Sequence, residues 1–442
     1  MERPSDVKRS VEEVLEEKAE HEEEDEATEL AALDGASIVE AATGEPDQPA
    51  VEGDLAAKLG KAVAGVDLQE EAAAGPAGAR RSRPLPRSGE PKGRDLRSDR
   101  GVVRSAPRSV AYATAGLAPS PAAASWPEAG IDLAVEAARG LRLKNPVLTA
   151  SGTFGQGIEY AELFDVSRLG AIVNKGTTVH ARPGNPQYRI AETPSGILNS
   201  IGLENPGAAA VAKRYGRAWV ELGVPVIVNV AGYAVEDYVT VIREMEGTPG
   251  VVAYELNVSC PNVKGGMLFG CDPGLAAEVT RAAKTETDKP VIVKLTPNAP
   301  DVVAVARACE EAGADGLTAI NTVLGMRIDV GKRRPMLGTG SGGLSGPAIR
   351  PIAVHLTYQV ARAVSIPVIG AGGVTSAADA LEFLMAGAAA VQVGTATFAD
   401  PLAPIRVVEG LAAFVREQGL GSIRDIVGAA QRDHASDTEY LE

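Results

Sequence analysis

From residue 131 onward, short apolar runs alternate with longer stretches in which apolar positions recur every three or four residues. The short runs are 146–150, 171–174, 225–230, 253–258, 290–295, 316–320, 367–370 and 390–394. They are apolar nearly throughout rather than alternating, as expected of parallel strands covered on both faces. Between them lie helical patterns, among them 208–222, 235–245, 275–285, 302–312, 349–364 and 376–386. Several of these close on Gly-Val-Pro or Ala-Gly-Ala, a helix stop followed by a strand start. Ahead of them, 131–135 and 141–143, with Ala138-Arg139-Gly140 between, predict a small opening hairpin. Eight strand–helix units in about 300 residues predict an α/β fold, a TIM (β/α)8 barrel over 131–430. An open doubly wound sheet is the alternative. It calls for a GxGxxG turn after the first strand, which Ser151-Gly152-Thr153-Phe154-Gly155 does not supply.

The first 130 residues have a different texture. Their 26 acidic and 16 basic residues carry −10 of the chain's −15 net charge. They hold only Tyr112 and Trp126 of its aromatic side chains, so they bury too little apolar surface to offset the entropy of ordering. An acidic run over 12–29 gives way to an Arg/Pro/Ser/Gly tract over 75–108, and Val7, Val11, Val14 and Leu15 fall at helical spacing. The expectation is a disordered extension over 1–130 and a short C-terminal tail over 431–442. A docking or nucleic-acid-binding arm is the alternative for the extension. The acidic balance of the 442 residues argues against nucleic acid as a partner. No apolar run reaches the ~18 residues of a membrane span, and no apolar segment follows the N-terminus as in a secretory signal. Three cysteines with no CxxC pair point to a reducing, cytoplasmic compartment.

In such barrels the chemistry sits where the strands end. The expected strands lead in turn to Ser151-Gly152, Lys175-Gly176-Thr177, Asn229, Asn257 with Ser259 and Cys260, Lys294, Asn321-Thr322, Gly372-Gly373 and Gly394-Thr395. A single polar residue at a strand end is most simply a cap; eight in register are a site. Glycine-rich turns after the last two strands suit a phosphate held by backbone amides. Lys175 and Lys294 suit an anionic ligand, and Asn199, Asn229, Asn257, Asn262 and Asn321 offer the paired donors and acceptors that read planar amide-bearing rings. Cys260 heads a glycine-rich loop over 264–270 that could close as a lid. Its thiol, with an ordinary pKa of about 8.5, can serve as a general base when its surroundings tune it. Cys309 reads as core and Cys271 as loop. His21, His180, His355 and His434 are scattered, and no zinc spacing, Walker A, GxSxG or HExxH motif occurs.

Longer motifs carry a resemblance. The stretches Ala150-Ser151-Gly152-Thr153-Phe154-Gly155, Lys175-Gly176-Thr177-Thr178, Asn199-Ser200-Ile201-Gly202-Leu203-Glu204-Asn205, Asn257-Val258-Ser259-Cys260-Pro261-Asn262 and Lys294-Leu295-Thr296-Pro297-Asn298 resemble the catalytic subunit of dihydroorotate dehydrogenase, class 1B, the NAD-linked type. So do Asn321-Thr322-Val323-Leu324-Gly325-Met326-Arg327, Gly342-Gly343-Leu344-Ser345-Gly346-Pro347 and Gly370-Ala371-Gly372-Gly373. The resemblance covers about two thirds of the chain. A cysteine at position 260 separates it from the membrane-bound class, which uses serine, and Lys-Gly-Thr-Thr favours 1B over the fumarate-linked type. It implies FMN held by Ser151, Lys175, Gly176, Asn229, Asn257, Lys294, Ile320, Gly346, Gly372, Gly373, Gly394 and Thr395. It implies dihydroorotate held by Lys175, Asn199, Ser200, Ile201, Gly202, Leu203, Asn257, Asn262, Asn321 and Thr322, with Cys260 taking the C5 proton while C6 passes hydride to the flavin.

The resemblance also implies a partner. Class 1B enzymes work with an electron-transfer subunit carrying FAD and a 2Fe–2S cluster, as a homodimer within a heterotetramer. Three dispersed cysteines are too few for four-cysteine ligation of such a cluster on this chain. The 130-residue extension has no counterpart in the family. Rival readings are another FMN barrel, such as dihydropyrimidine dehydrogenase or a tRNA dihydrouridine synthase, or a scaffold built on an inactive barrel. The first pair would need additional iron–sulfur cysteines or a basic RNA-binding domain; the second sits badly with an intact Cys260 and both lysines.

Overall fold

The computed structural model describes residues 130–259 and 269–432. The expected disordered extension with its short helix, most of the 264–270 lid, Cys260, Asn262 and the tail from 433 lie outside the described residues.

The described chain opens on a hairpin of β1 (Val135–Ala138) and β2 (Leu141–Leu143). A regular alternation follows: β3 (Val147–Thr149), α1 (Ile158–Ala161), β4 (Ile172–Val173), β5 (Ile190–Thr193), β6 (Gly196–Asn199), α2 (Ala208–Glu221), β7 (Val226–Val230), α3 (Val235–Met245), β8 (Val251–Asn257), α4 (Pro273–Lys284), β9 (Val291–Leu295), α5 (Val302–Glu311) and β10 (Gly316–Ala319). Then come β11 (Val323–Gly325), β12 (Ile328–Asp329), β13 (Arg334–Pro335), β14 (Gly342–Ser345), α6 (Arg350–Ala363), β15 (Val368–Ala371), α7 (Ala377–Met385), β16 (Ala390–Val393), α8 (Ala396–Ala399) and α9 (Ala403–Glu417).

Eight parallel strands run in the order β3-β16-β15-β10-β9-β8-β7-β4. A parallel bridge between Leu148 and Ala171 joins the two ends of that order, so the sheet closes on itself. This is the (β/α)8 barrel that the apolar runs predicted, and its eight strands are the eight runs. Their residues are buried on both faces: Val226–Val230, Val291–Leu295 and Val368–Ala371 are buried at every position. One face meets the barrel interior and the other meets helices.

The helices form where an apolar stripe and a start signal coincide. In α3 Tyr238, Val241, Ile242 and Met245 are buried at i, i+3, i+4 and i+7, while Asp237 accepts from the amides of Tyr233 and Ala234 at 2.7 and 3.1 Å. Asp272 caps α4 through the Leu275 amide at 2.9 Å, with Pro273 at the first helical position. Ser376 and Asp379 form a reciprocal capping box on α7.

Two regions differ from expectation. The first hairpin strand sits at Val135–Ala138 rather than 131–135. Asp132 is engaged elsewhere: it bridges to Ser422, its carbonyl accepts from the Ile423 amide at 2.9 Å, and its carboxylate accepts from the Ala134 amide. The hairpin covers the N-terminal end of the barrel, where the Arg139 amide donates to the Asp315 carbonyl at 2.8 Å. The second difference is a four-stranded antiparallel sheet, β11-β14-β6-β5, inserted after β4 and after β10. Leu198 of β6 pairs with Leu344 of β14, and with Ala191 and Leu337 it builds a small second core. This sheet stands beside the C-terminal rim of the barrel and brings Asn199 and Gly346 to it.

Candidate active site

Parallel strands of a closed barrel all point their C-terminal ends the same way, so residues at those ends share one rim. Ser151 follows β3, Lys175 and Gly176 follow β4, Asn229 lies in β7, Asn257 ends β8 and Lys294 lies in β9. Ile320, Asn321 and Thr322 follow β10, Gly372 and Gly373 follow β15, and Gly394 and Thr395 follow β16. Asn199 ends β6 and Ser200 to Leu203 continue from it, while Gly346 follows β14. The expected residues therefore come from every barrel strand and from the inserted sheet. Contacts join several of them into two groups.

The first group is a glycine cradle. Gly346 and Gly373 both have positive φ, 96° and 78°. A Cβ on Gly373 would stand 2.8 Å from Arg350 Cβ and 2.9 Å from the Gly346 carbonyl oxygen; one on Gly346 would stand 2.9 Å from Gly196 Cα. Only glycine fits either place. Thr395 donates from Oγ1 to Ser345 Oγ at 2.8 Å, which ties the turn after β16 to the inserted sheet. Arg350 pairs with Asp379 and lies 3.4 Å from Glu382, locking α6 against α7 behind the cradle.

The second group lies in and above the barrel interior. Asn321 Nδ2 donates to Asn257 Oδ1 at 3.1 Å and to Ser259 Oγ at 2.8 Å. Asn199 Nδ2 donates to the Gly343 carbonyl at 3.2 Å. Below them, side chains from five strands meet. The Glu255 carboxylate accepts from Asn229 Nδ2 at 2.9 Å, from Thr318 Oγ1 at 3.2 Å and from Gln392 Nε2. Lys294 Nζ donates to Gln392 Oε1 at 2.8 Å and stands 3.4 Å from Glu255 Oε1. Asn229, Glu255, Lys294 and Gln392 are all at most 5% exposed. A buried charge pair persists only when its remaining hydrogen-bonding capacity is met, and Glu255 has that from three further donors.

Lys175 is the other cation. Burial pulls its ammonium below the usual lysine range; Glu204 works against that shift and Arg189 adds to it. Among the described residues no carboxylate is in salt-bridge contact with it, and a cavity of about 430 Å³ lies against it, lined also by Gln156, Arg182, Ile201, Glu204 and Arg214. The turn over 203–207, which lines the same cavity, is braced by Asn205. That side chain accepts from the Thr178 and Gly207 amides at 3.2 and 2.9 Å and donates to the Leu203 carbonyl at 2.7 Å, holding Leu203 at φ 57°.

The residues fit a phosphate-bearing planar group. The cradle leaves room only for backbone beside an anion, and Asn229 Oδ1 is buried with no hydrogen-bond partner. A Cβ on Gly176 would stand 3.0 Å from that oxygen, so it faces the turn after β4. Reading the sequence missed Glu255 and Gln392, the pair that anchors Lys294. Their signal was a carboxylate inside Val251–Asn257 and an amide inside Ala390–Val393, polar residues at the centre of buried strands. Among the described residues no three His, Cys, Asp or Glu side chains converge as metal ligands.

Fold and site together define a (β/α)8 barrel of the enzyme kind, with glycines, asparagines and two lysines gathered at its C-terminal rim. Residues 133–415 match the dihydroorotate dehydrogenase family. A protein of Desulforamulus reducens named dihydroorotate dehydrogenase B (NAD(+)), catalytic subunit, is 52% identical over 301 residues, covering 68% of this chain and 99% of its own. Proteins of the same name from Anoxybacillus flavithermus and Geobacillus kaustophilus are 54% and 53% identical, covering 65% and 67% of this chain and 93% and 95% of theirs. The chain belongs to the dihydroorotate dehydrogenase family, and with it to the oxidoreductases.

Proposed function

We propose that this chain oxidises (S)-dihydroorotate to orotate in pyrimidine (UMP) biosynthesis, as the FMN-binding catalytic subunit of an NAD-linked enzyme. The observation that carries the reading is the buried layer of Asn229, Glu255, Lys294 and Gln392 beneath a rim of asparagines, with a glycine cradle alongside. Bound there, FMN supplies the acceptor for the C6 hydride. Gly346, Gly372, Gly373, Gly394 and Thr395 would hold its phosphate, and Ser151, Lys175, Gly176, Asn229, Asn257, Lys294 and Ile320 would hold the rest of it. Lys175 meets the substrate carboxylate. Asn199, Ser200, Ile201, Gly202 and Leu203 cover the substrate, while Asn257, Asn262, Asn321 and Thr322 read its amide edges. The Cys260 thiolate takes the C5 proton as general base. Lys294 would offset negative charge on that group.

The barrel over 131–430 is the functional domain, and the cytoplasm its compartment. Among the described residues no helix is long and apolar enough to cross a membrane. The relatives' designation as catalytic subunits, and three cysteines in the whole chain, support a separate electron-transfer subunit with FAD and a 2Fe–2S cluster, assembled with a homodimer of this chain. The test is a paired assay on the purified chain. Its visible spectrum should be that of a flavoprotein, and it should oxidise dihydroorotate with a dye acceptor but reduce NAD poorly until the partner is added. A colourless chain, or equal rates with both acceptors, would refute the reading.

A further inference from the structure

We propose that Glu255, sealed beneath the site, is a positioning residue that aims Asn229 and Lys294 at the ring. The inference rests on the FMN reading above and concerns residues of this chain that the reading leaves without a role.

A side-chain amide has a donor end and an acceptor end, and its neighbours decide which way it faces. Glu255 is fully buried and its carboxylate can only accept. It therefore draws the Nδ2 end of Asn229 toward itself at 2.9 Å and turns Oδ1 away. Turned away, Oδ1 is buried, has no partner, and faces the turn at Gly176. The reverse orientation would set a carbonyl against a carboxylate. Glu255 draws Gln392 in the same way: the Nε2 end goes to the carboxylate, which leaves Oε1 for the lysine ammonium at 2.8 Å.

One carboxylate thus fixes two amides, and through the second it fixes a cation. The outcome is an acceptor, Asn229 Oδ1, and a positive charge, Lys294 Nζ, set beside one another under the rim. Their complement is a ring edge carrying an N–H next to a carbonyl or an anionic nitrogen. The pyrimidine half of a flavin has that edge. Glu255 is also the charged group in contact with Lys294 among the described residues, so it is the counter-ion as well as the guide.

The experiment compares wild type with Glu255→Gln in three measurements: FMN affinity of the deflavinated chain, the midpoint potential of bound FMN against pH, and thermal unfolding without FMN. Glutamine keeps the shape, removes the charge and offers the two amides a donor where they meet an acceptor. FMN should bind on the order of tenfold more weakly. The midpoint potential should shift, because the carboxylate's charge no longer offsets the ammonium set beside the ring. Glu255→Asp should return part of both effects. A carboxylate with a merely structural role would lower unfolding temperature and move neither affinity nor potential. Affinity within twofold of wild type, with an unchanged potential at every pH, would overturn the proposal. If Glu255→Gln does not fold, Gln392→Met reads the same relay from its other end: weaker FMN binding supports the proposal and unchanged binding and potential overturn it. Wild type that takes up no FMN fails the functional reading itself, which is a different result from equal binding by wild type and variant.

Discussion

Neighbouring residues on β8 lead into two lysine–carboxylate clusters that share chemistry but not setting. Glu255 points into the barrel and meets Lys294, Gln392, Asn229 and Thr318. Tyr254 points the other way, into the helical layer, and donates to Glu246 at 2.8 Å. Glu246 also accepts from Thr287 Oγ1 at 2.8 Å and from Lys289 Nζ at 2.7 Å. The outer cluster is partly solvated, with Lys289 and Glu246 side chains 26% and 35% exposed; in the inner pair the values are 6% and 0%. Every polar atom of the outer cluster has a use within the fold. The inner one leaves an amide oxygen unpaired. A polar cluster that satisfies itself is a clamp, and one that leaves a buried group over is shaped for something else. Strand alternation separates them by a single residue.

The comparison is sharpened most by the residue just beyond the end of β8. Cys260→Ala should retain FMN and lose about 10²–10⁴-fold in turnover, measured with a dye acceptor; Cys260→Ser should regain part of it only at raised pH. Near-normal turnover in the alanine variant would end its assignment as base. The two lysines are the next contrast. Lys294→Met should cost roughly 10²–10³-fold in kcat, whereas Lys289→Met should leave kcat within about twofold and lower Tm by ~2–4 °C at most. Similar kinetic losses in both would erase the distinction between the clusters.

Two smaller effects concern pH. Burial depresses the Lys175 ammonium, so KM for dihydroorotate should climb with pH earlier than an ordinary lysine allows. Lys175→Arg should flatten that climb, since a guanidinium stays charged throughout. On the outer cluster, partial burial works to raise the Glu246 carboxyl. Hydrogen bonds from Lys289, Tyr254 and Thr287 and the Lys289 charge outweigh it, and the group lies below the usual carboxylate range. Its stabilisation is then fully present above the unfolded-state pKa and is lost as pH falls through the folded one. Glu246→Gln should lower stability at neutral pH by about 1 kcal/mol or less, the pair being partly solvated. The gap should close on acidification, and a gap that widened would reverse the sign. Smallest of all, removing residues 1–130 should leave flavin content and dye-linked turnover unchanged.

What could be read in advance follows from where information sits along the chain. The barrel strands were legible because they are buried on both faces and so are apolar nearly throughout, as in Val226–Val230, where Asn229 is the one polar residue. The inserted sheet was not. Its strands are short and glycine-bearing, and they pair across long separations, as Leu198 does with Leu344. The opening hairpin was placed early because Leu133, Val135 and Ala137 are all buried in one alternating run. Nothing in that run announces that Asp132 pairs with Ser422. At the site, strand-end polar residues stood out against apolar strands. Glu255 and Gln392 acquire meaning only when strands 137 residues apart in sequence face each other across the barrel.

The wall of the barrel is not equally stitched around its circumference. Between β3 and β4 the backbone supplies Gly170 N to Val147 O at 2.9 Å and a long Thr149 N to Ala171 O at 3.4 Å. The next amide along, Val173, bonds instead to the hydroxyl of Thr149 at 3.2 Å. One side-chain oxygen thus replaces a ladder carbonyl at the seam, two residues before Lys175. Sparse pairing makes local opening cheaper there than along β7–β8. Amide hydrogens of 171–173 should exchange ahead of those in β8, and an anion on Lys175 should slow them. The seam gives the molecule a built-in reporter of occupancy, readable by mass as deuterium uptake.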